Sequence, residues 1–349
     1  MDMINEINVE EKDRWNTIVR SFSDYDVFYL NEYVAAFMHE DESNGVPILL
    51  HYKNGSDSAI NVVFKRDVSL DEKLKGKVEP GSYYDLISPY GYGGFWGCIN
   101  DYDMLNRYYN DYCIENHYVC EFVRFELFSD YYKYYDGEVE TRTHNVVRSL
   151  DMPLEEMWMD FKQKVRKNVK HANKNNLEIL IENTGDYLSD FMDIYYSTMD
   201  RSNAEHEYYF SKEFYETINQ MRDNIMYFHV VYDDKIISTE LVIYGSENAY
   251  SYLGGTNRDY FDLRPNDFLK YEIIKWAKEK GLRNFVLGGG YGADDGIFQY
   301  KTCLAPKGII DFYIGRKIFD QISYDKLVAI RAKDNPDCLV SGYFPGYRA

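Results

Sequence analysis

The spacing of apolar residues changes from one stretch of the chain to the next, and each spacing predicts an element. Residues 226–245, "MYFHVVYDDKIISTELVIYG", alternate in two arms around Asp233-Asp234-Lys235, which is the pattern of a β-hairpin. Ala249 to Leu253 reads as a strand that stops at Gly254-Gly255, and Leu282 to Leu287 as a buried strand that stops at Gly288-Gly289-Gly290. Between them, "RPNDFLKYEIIKWAKEKG" has helical spacing. Pro265 suits a first turn and Gly281 the position just past the last, so the helix is predicted to start near Arg264 to Asn266. Its apolar side carries Leu269, Ile273 and Trp276.

Upstream lie a basic, apolar-striped helix around Leu154 to Lys174, a strand from Leu177 to Glu182, and helical patterns over Asp186 to Asp200 and Ser211 to Arg222. The first half shows the same order more weakly. "ILLHYKNGSDSAINVVFKR" forms two arms around Asn54-Gly55, and "YYDLI" enters the Gly-rich loop "SPYGYGGFWG". A helical stretch from Tyr102 to Asn116 and the strand "YVCEFVRFEL" follow. This is a repeat of pattern, not of letters. With 349 residues, two cores are expected. The least structured stretch, Asp136 to Asp151, marks the boundary, giving domains 1–150 and 151–315. A last helical segment, Arg316 to Ala332, and the tail to residue 349 are expected to pack back on the first.

Composition narrows the partners. A formal charge of -19 disfavours DNA and any general nucleic-acid surface, since phosphate backbones need clustered Lys and Arg. No stretch has the roughly 18 apolar residues of a membrane span, and the acidic N-terminus lacks a signal-peptide core, so a cytoplasmic protein is expected. Five cysteines without a CxxC pair and seven scattered histidines suggest neither a disulfide framework nor a metal site. The 36 tyrosines fit stacking on sugars or bases, and they fit a compositional bias as well.

The end of the helix at Pro265 offers unpaired N–H groups and a positive dipole just beyond a strand, a place suited to an anion or a developing oxyanion. The order hairpin, strand, "YLGGTNRDYFDLRPNDFLKYEIIKWAKEKG", strand, "GGGYGADDGIFQYKTCLAPKG" resembles the GNAT acyltransferase fold. More narrowly, it resembles the branch holding the Fem peptidoglycan-bridge aminoacyltransferases. The resemblance is strongest from about Trp158 to Gly308 and implies two tandem α/β (α+β) domains, each a mixed sheet flanked by helices.

The resemblance also implies roles. Tyr300 and Lys301 fall at the family's aromatic and lysine positions, where Lys301 would stabilise the tetrahedral intermediate as an amine attacks an ester or thioester. A lysine on a strand surface would give the same signal. Gly254, Thr256, Arg264 and Asn266 would meet the acyl donor. That donor is aminoacyl-tRNA or an acyl-CoA, and no cofactor is permanently bound. Pro265 removes one N–H and Asp267 repels a diphosphate, which tells against a standard coenzyme A cradle. Arg166, in the basic stripe of "FKQKVRKNVKHANKNN", and Arg201 would bind phosphate. A solvated helix face accounts for the same stripe, and a local ion pair with Asp200 or Glu205 for Arg201. Tyr90 and Tyr92 of the Gly-rich loop would flank a nucleotide- or lipid-linked sugar or peptide acceptor, unless the loop is plugged by its own rings. The expected activity is N-acyl transfer to an amine of a cell-envelope precursor by a monomer. The alternatives are an acyl-CoA-dependent N-acetyltransferase and a non-catalytic glycan- or peptide-binding module.

Overall fold

The computed structural model describes residues 3–40, 45–290 and 295–349, His39 without its side chain. Tyr291 to Asp294, within the acidic-glycine turn quoted above, lie outside the described residues. The chain forms two compact units, one from Met1–Ser23, Phe28–Arg142 and Phe312–Ala349, the other from Asp24–Val27 and Thr143–Asp311.

Along the chain come β1 (Ile4–Asn8), α1 (Lys12–Arg20), α2 (Asn31–Ala36), β2 (Val46–Asn54), β3 (Asp57–Asp67), β4 (Tyr84–Ile87), β5 (Trp96–Cys98), α3 (Tyr102–Glu115) and β6 (Tyr118–Arg124). Next are β7 (Glu138–Ser149), α4 (Leu154–Asp160), α5 (Gln163–Lys174), β8 (Glu178–Glu182), α6 (Leu188–Ser202) and α7 (Lys212–Ile218). The remainder is β9 (Ile225–Tyr232), β10 (Lys235–Tyr244), β11 (Asn248–Thr256), α8 (Pro265–Glu279), β12 (Asn284–Gly288), α9 (Gly296–Leu304), β13 (Ile309–Ile318) and α10 (Gln321–Ala332).

The first unit's sheet runs β1-β2-β3-β4-β6-β13, with β5 on β3, and is antiparallel except at β4/β6. The second runs β8-β9-β10-β11-β12-β7 and is antiparallel except at β11/β12. Hairpin, strand, helix and parallel strand thus recur in both, as the pattern of the sequence predicts. The hairpin turn of the second unit puts Asp233 and Asp234 at φ 50° and 57°, the left-handed pair that a two-residue turn requires. The first core gathers Leu50, Val63, Leu86, Phe95, Tyr109 and Phe125 around its sheet. The second gathers Phe161, Val165 and Val169 of the basic helix with Leu269 and Ile273 of α8 and Phe285 of β12.

Four expectations are corrected. Residues 138–149 are a strand, not a loop, because only Asn145 to Arg148 are buried and the polar first half hides the pattern. The helix at 154–174 is two helices, broken where Phe161 and Lys162 are extended. The break drives Phe161 into the core and lets the Lys162 N–H donate to the Cys303 carbonyl at 2.9 Å. Arg316 to Ile318 belong to β13, paired with β6, and the last helix starts only at Gln321, where Asp320 caps the Ser323 N–H. Strand β11 does not stop at Gly254-Gly255 but pairs with β10 as far as Thr256.

In the first unit, the tail is tied to β4 by a buried charge cluster. Asp85, fully buried, accepts from Arg66 Nε at 2.6 Å, Arg348 Nε at 2.7 Å and the Tyr347 hydroxyl at 2.8 Å. Burial pushes its carboxyl up, but the two guanidiniums and their hydrogen bonds win and hold it below the usual value. The stability it contributes is therefore complete above the unfolded carboxylate pKa and is lost as pH falls. Asp85→Asn leaves Arg66 without its carboxylate and Arg348 with Asp71 alone, and is expected to cost roughly 3–5 kcal/mol in urea unfolding at pH 7. A loss under 1 kcal/mol would show the cluster to be dispensable.

Candidate active site

The second unit's site is built where β11 and β12 part. Their pairing stops at Tyr250↔Val286, yet β11 continues six residues to Thr256, so its free edge borders an opening in the sheet. Gly254 and Gly255 serve close approach there. A Cβ on Gly254 would meet the Thr239 carbonyl at 2.6 Å, and one on Gly255 the Thr198 hydroxyl of α6 at 2.4 Å.

Helix α8 starts beside this opening. Arg264 takes a left-handed φ of 61°, its side chain does not cap the helix, and Pro265 occupies the first turn. The N–H groups of Asn266 and Asp267 follow. At the other end Gly281 N–H bonds Lys278 O and Leu282 N–H bonds Ala277 O, the Schellman closure that the glycine predicts. Asp267 is buried and accepts from Asn168 Nδ2 at 2.7 Å. Burial raises its pKa, against the pull of Asn168, Lys164 and Arg264.

Helix α9, capped by Asp295 on the Ile297 N–H, carries Tyr300 and Lys301, so the lysine is helical and not on a strand surface. Lys301 Nζ donates to the Gly289 carbonyl at 2.6 Å. Burial, then repulsion from Lys270, pulls its pKa from 10.5 down to about 8, opposed by Glu240 and Asp295. Lys270 is itself buried, ion-paired with Glu240 and bonded to Ser251 Oγ at 2.6 Å. The Tyr300 hydroxyl is buried with no well-formed hydrogen bond among the described residues, and Asn266 is the polar group beside it.

These groups share one cavity of about 770 Å³. Its wall includes Gly254, Thr256, Arg264, Asn266, Tyr300 and Lys301, and also Arg201. The helix end and the lysine thus line one cavity. Arg201 donates to Thr198 Oγ1 at 3.2 Å and lies over the Phe261 ring, and among the described residues it forms no ion pair with Asp200 or Glu205. Arg166 is elsewhere: its Nη1 is held by the carbonyls of Met159 at 2.6 Å and Phe161 at 2.7 Å, capping the broken helix. The basic stripe reaches the cavity through Lys164 instead. Tyr90 and Tyr92 belong to the first unit. Tyr92 is buried, edge-on to Phe28 and Phe312 from outside the loop, and Tyr90 is exposed beside Phe37. Glu240 and Lys270 were missed by sequence reading. One alternates along an ordinary strand and the other sits on an ordinary helix, and only tertiary packing buries them.

Residues 159–302 match the acetyltransferase (GNAT) domain family. The lipid II:glycine glycyltransferase of Staphylococcus haemolyticus is 28% identical over 88 residues, 25% of this chain and 21% of that protein. That of Staphylococcus epidermidis is 26% identical over 102 residues, 29% of this chain and 24% of its own. The matched region therefore spans under a quarter of these relatives. The crystal structure of FemX superposes with a TM-score of 0.69 at 12% identity, covering 92% of this chain and 99% of FemX. The structure of L-PGS from Bacillus licheniformis superposes at 0.55 with 9% identity, covering 92% and 96%. The second unit contains a GNAT acyltransferase domain. Domain, relatives and architecture together support a resemblance to the Fem-like branch of that superfamily.

The lysine's two protonation states make a sign test. The ammonium exists below pH 8 and is lost above it, so transfer that uses it falls on the alkaline side with an apparent pKa of about 8. Lys301→Arg should carry that limb upward. A rate that rises through pH 8 and is insensitive to this change would mark Lys301 as a base or a bystander. Holding the charge in the folded state also costs roughly 3 kcal/mol at neutral pH, a penalty that fades between pH 8 and the ordinary 10.5. Lys301→Met is accordingly expected to unfold at a higher temperature at pH 7, with the advantage shrinking at pH 10.

Proposed function

We propose that the protein is an N-acyltransferase that passes an aminoacyl group to an amine of a peptidoglycan precursor, nucleotide- or lipid-linked. The observation that carries this reading is the meeting of Lys301 and the start of α8 in one cavity. An attacking amine converts a trigonal carbonyl into a tetrahedral oxyanion, and a fixed ammonium with helix N–H groups in a partly dry cleft is built to hold it. Collapse of the oxyanion leaves the new amide and breaks the ester C–O bond, and the donor's ribose oxygen departs with the proton that the attacking nitrogen gives up.

The choice of aminoacyl-tRNA over acyl-CoA rests on the first turn of α8. Pro265 lacks an N–H, and the carboxyl of Asp267 sits where a diphosphate would need bare donors. The roles of Gly254, Thr256 and Arg264 toward the donor, and of Arg201 toward a phosphate, belong to the same proposal. So does a cytoplasmic, monomeric enzyme.

Purified protein incubated with aminoacyl-tRNA and a nucleotide- or lipid-linked precursor should yield the aminoacylated product by mass spectrometry, and Lys301→Met should reduce its rate by roughly 100- to 1,000-fold. Acetyl-CoA should show no micromolar binding by calorimetry. Such binding, with transfer of acetyl to a sugar amine, would replace the aminoacyl reading. Absence of transfer from every donor would leave a binding module.

A further inference from the structure

One carboxylate oxygen in the cavity wall is left over. Glu240, on β10, lines the cavity and is only 3% exposed. Its Oε2 is taken by the Lys270 ammonium, while its Oε1 is buried and accepts no hydrogen bond among the described residues. Asp267, a second carboxylate of the wall, differs: it accepts from Asn168 Nδ2 at 2.7 Å and has Lys164 and Arg264 near it. The ladder leaves the flank of Glu240 open. Glu240 is opposite Gly254 of β11, and a Cβ on that glycine would come within 3.1 Å of the Glu240 Cα and 3.3 Å of its Cβ. No β11 side chain therefore covers the glutamate at this register. Lys301 feels its charge, which opposes that of Lys270, so the carboxylate stands near the group assigned to the oxyanion.

A buried carboxylate oxygen without a donor is unfavourable, and a ligand that brings an N–H to it gains what a ligand lacking one forfeits. An aminoacyl group carries such a donor. Its α-nitrogen is bonded to the carbon next to the reacting carbonyl, and it has N–H groups whether it is an amine or an ammonium. A plain acyl group has only C–H there. We infer that Glu240 Oε1 accepts from the α-amino group of the donor and is the residue by which the site tells an aminoacyl from a plain acyl group. Lys270, on the other oxygen, fixes the direction of the carboxylate. This role rests on the acyl-transfer reading above and adds to it the origin of donor specificity.

The test sets aminoacyl donors against isosteres with a methyl group in place of the amine: tRNA charged with glycine against propionate, and with alanine against isobutyrate. In at least one pair, kcat/KM of the wild type should be about 100-fold higher for the aminoacyl donor, and Glu240→Gln should cut that ratio about 10-fold or more. Lys301→Met should slow both members by a like factor and keep the ratio. Glu240→Met combined with Lys270→Met removes both buried charges together, which guards against misfolding of the single variant, and should lose the ratio as well. A wild-type ratio near one, or a ratio that survives in either Glu240 variant, would overturn the proposal and leave the acyl-transfer reading standing. A wild type that transfers from none of these donors removes that reading instead. Calorimetry with two stable amides, 3′-glycylamino- and 3′-propionylamino-3′-deoxyadenosine, then decides on Glu240. Tighter binding of the glycyl amide that Glu240→Gln abolishes supports the amine contact, and equal binding, or none, refutes it.

Discussion

The early parting of β11 from β12 is the constraint on which the second unit's chemistry depends. A parallel pair that kept its ladder beyond Tyr250↔Val286 would bury the edge of β11 and close the opening. Instead the strands diverge, α8 enters beside the gap, and the backbone from Ser251 to Thr256 lines a cavity. Gly254 and Gly255 are what let β10 and α6 approach this stretch of β11 so closely. The fold therefore provides a place where polar backbone and a helix end can face a ligand without a lost strand elsewhere in the sheet.

Among the described residues this cavity carries more positive than negative charge, although the chain as a whole is strongly acidic. Lys164, Arg201, Arg264, Lys270 and Lys301 line it against Glu240 and Asp267. Lys270 and Glu240 form a buried pair beside Lys301, so the catalytic candidate senses a like charge on one side and a partly shared carboxylate on the other. A lysine in that setting is costly to fold around and well matched to a developing oxyanion.

Much of this was legible in the sequence, for identifiable reasons. The hairpins announced themselves through Asn54-Gly55 and Asp233-Asp234, and α8 through Pro265 and Gly281, because turn and cap chemistry is local. What escaped were features set by distant contacts. The break at Phe161-Lys162 answers to the Cys303 carbonyl, and the polar half of β7 carries no alternation to read. Arg166 sits in the basic stripe that pointed to phosphate, yet its Nη1 caps backbone carbonyls. The burial of Lys270 and Glu240 is likewise invisible until strands and helices are assembled.

A crystal structure of the protein with a phosphonate mimic of the tetrahedral intermediate tests the central claim most directly. The account predicts that an anionic oxygen of the mimic displaces the Gly289 carbonyl from Lys301 Nζ and accepts as well from an N–H at the start of α8. A mimic bound in this cavity with Lys301 still on Gly289, or bound away from both groups, would contradict it.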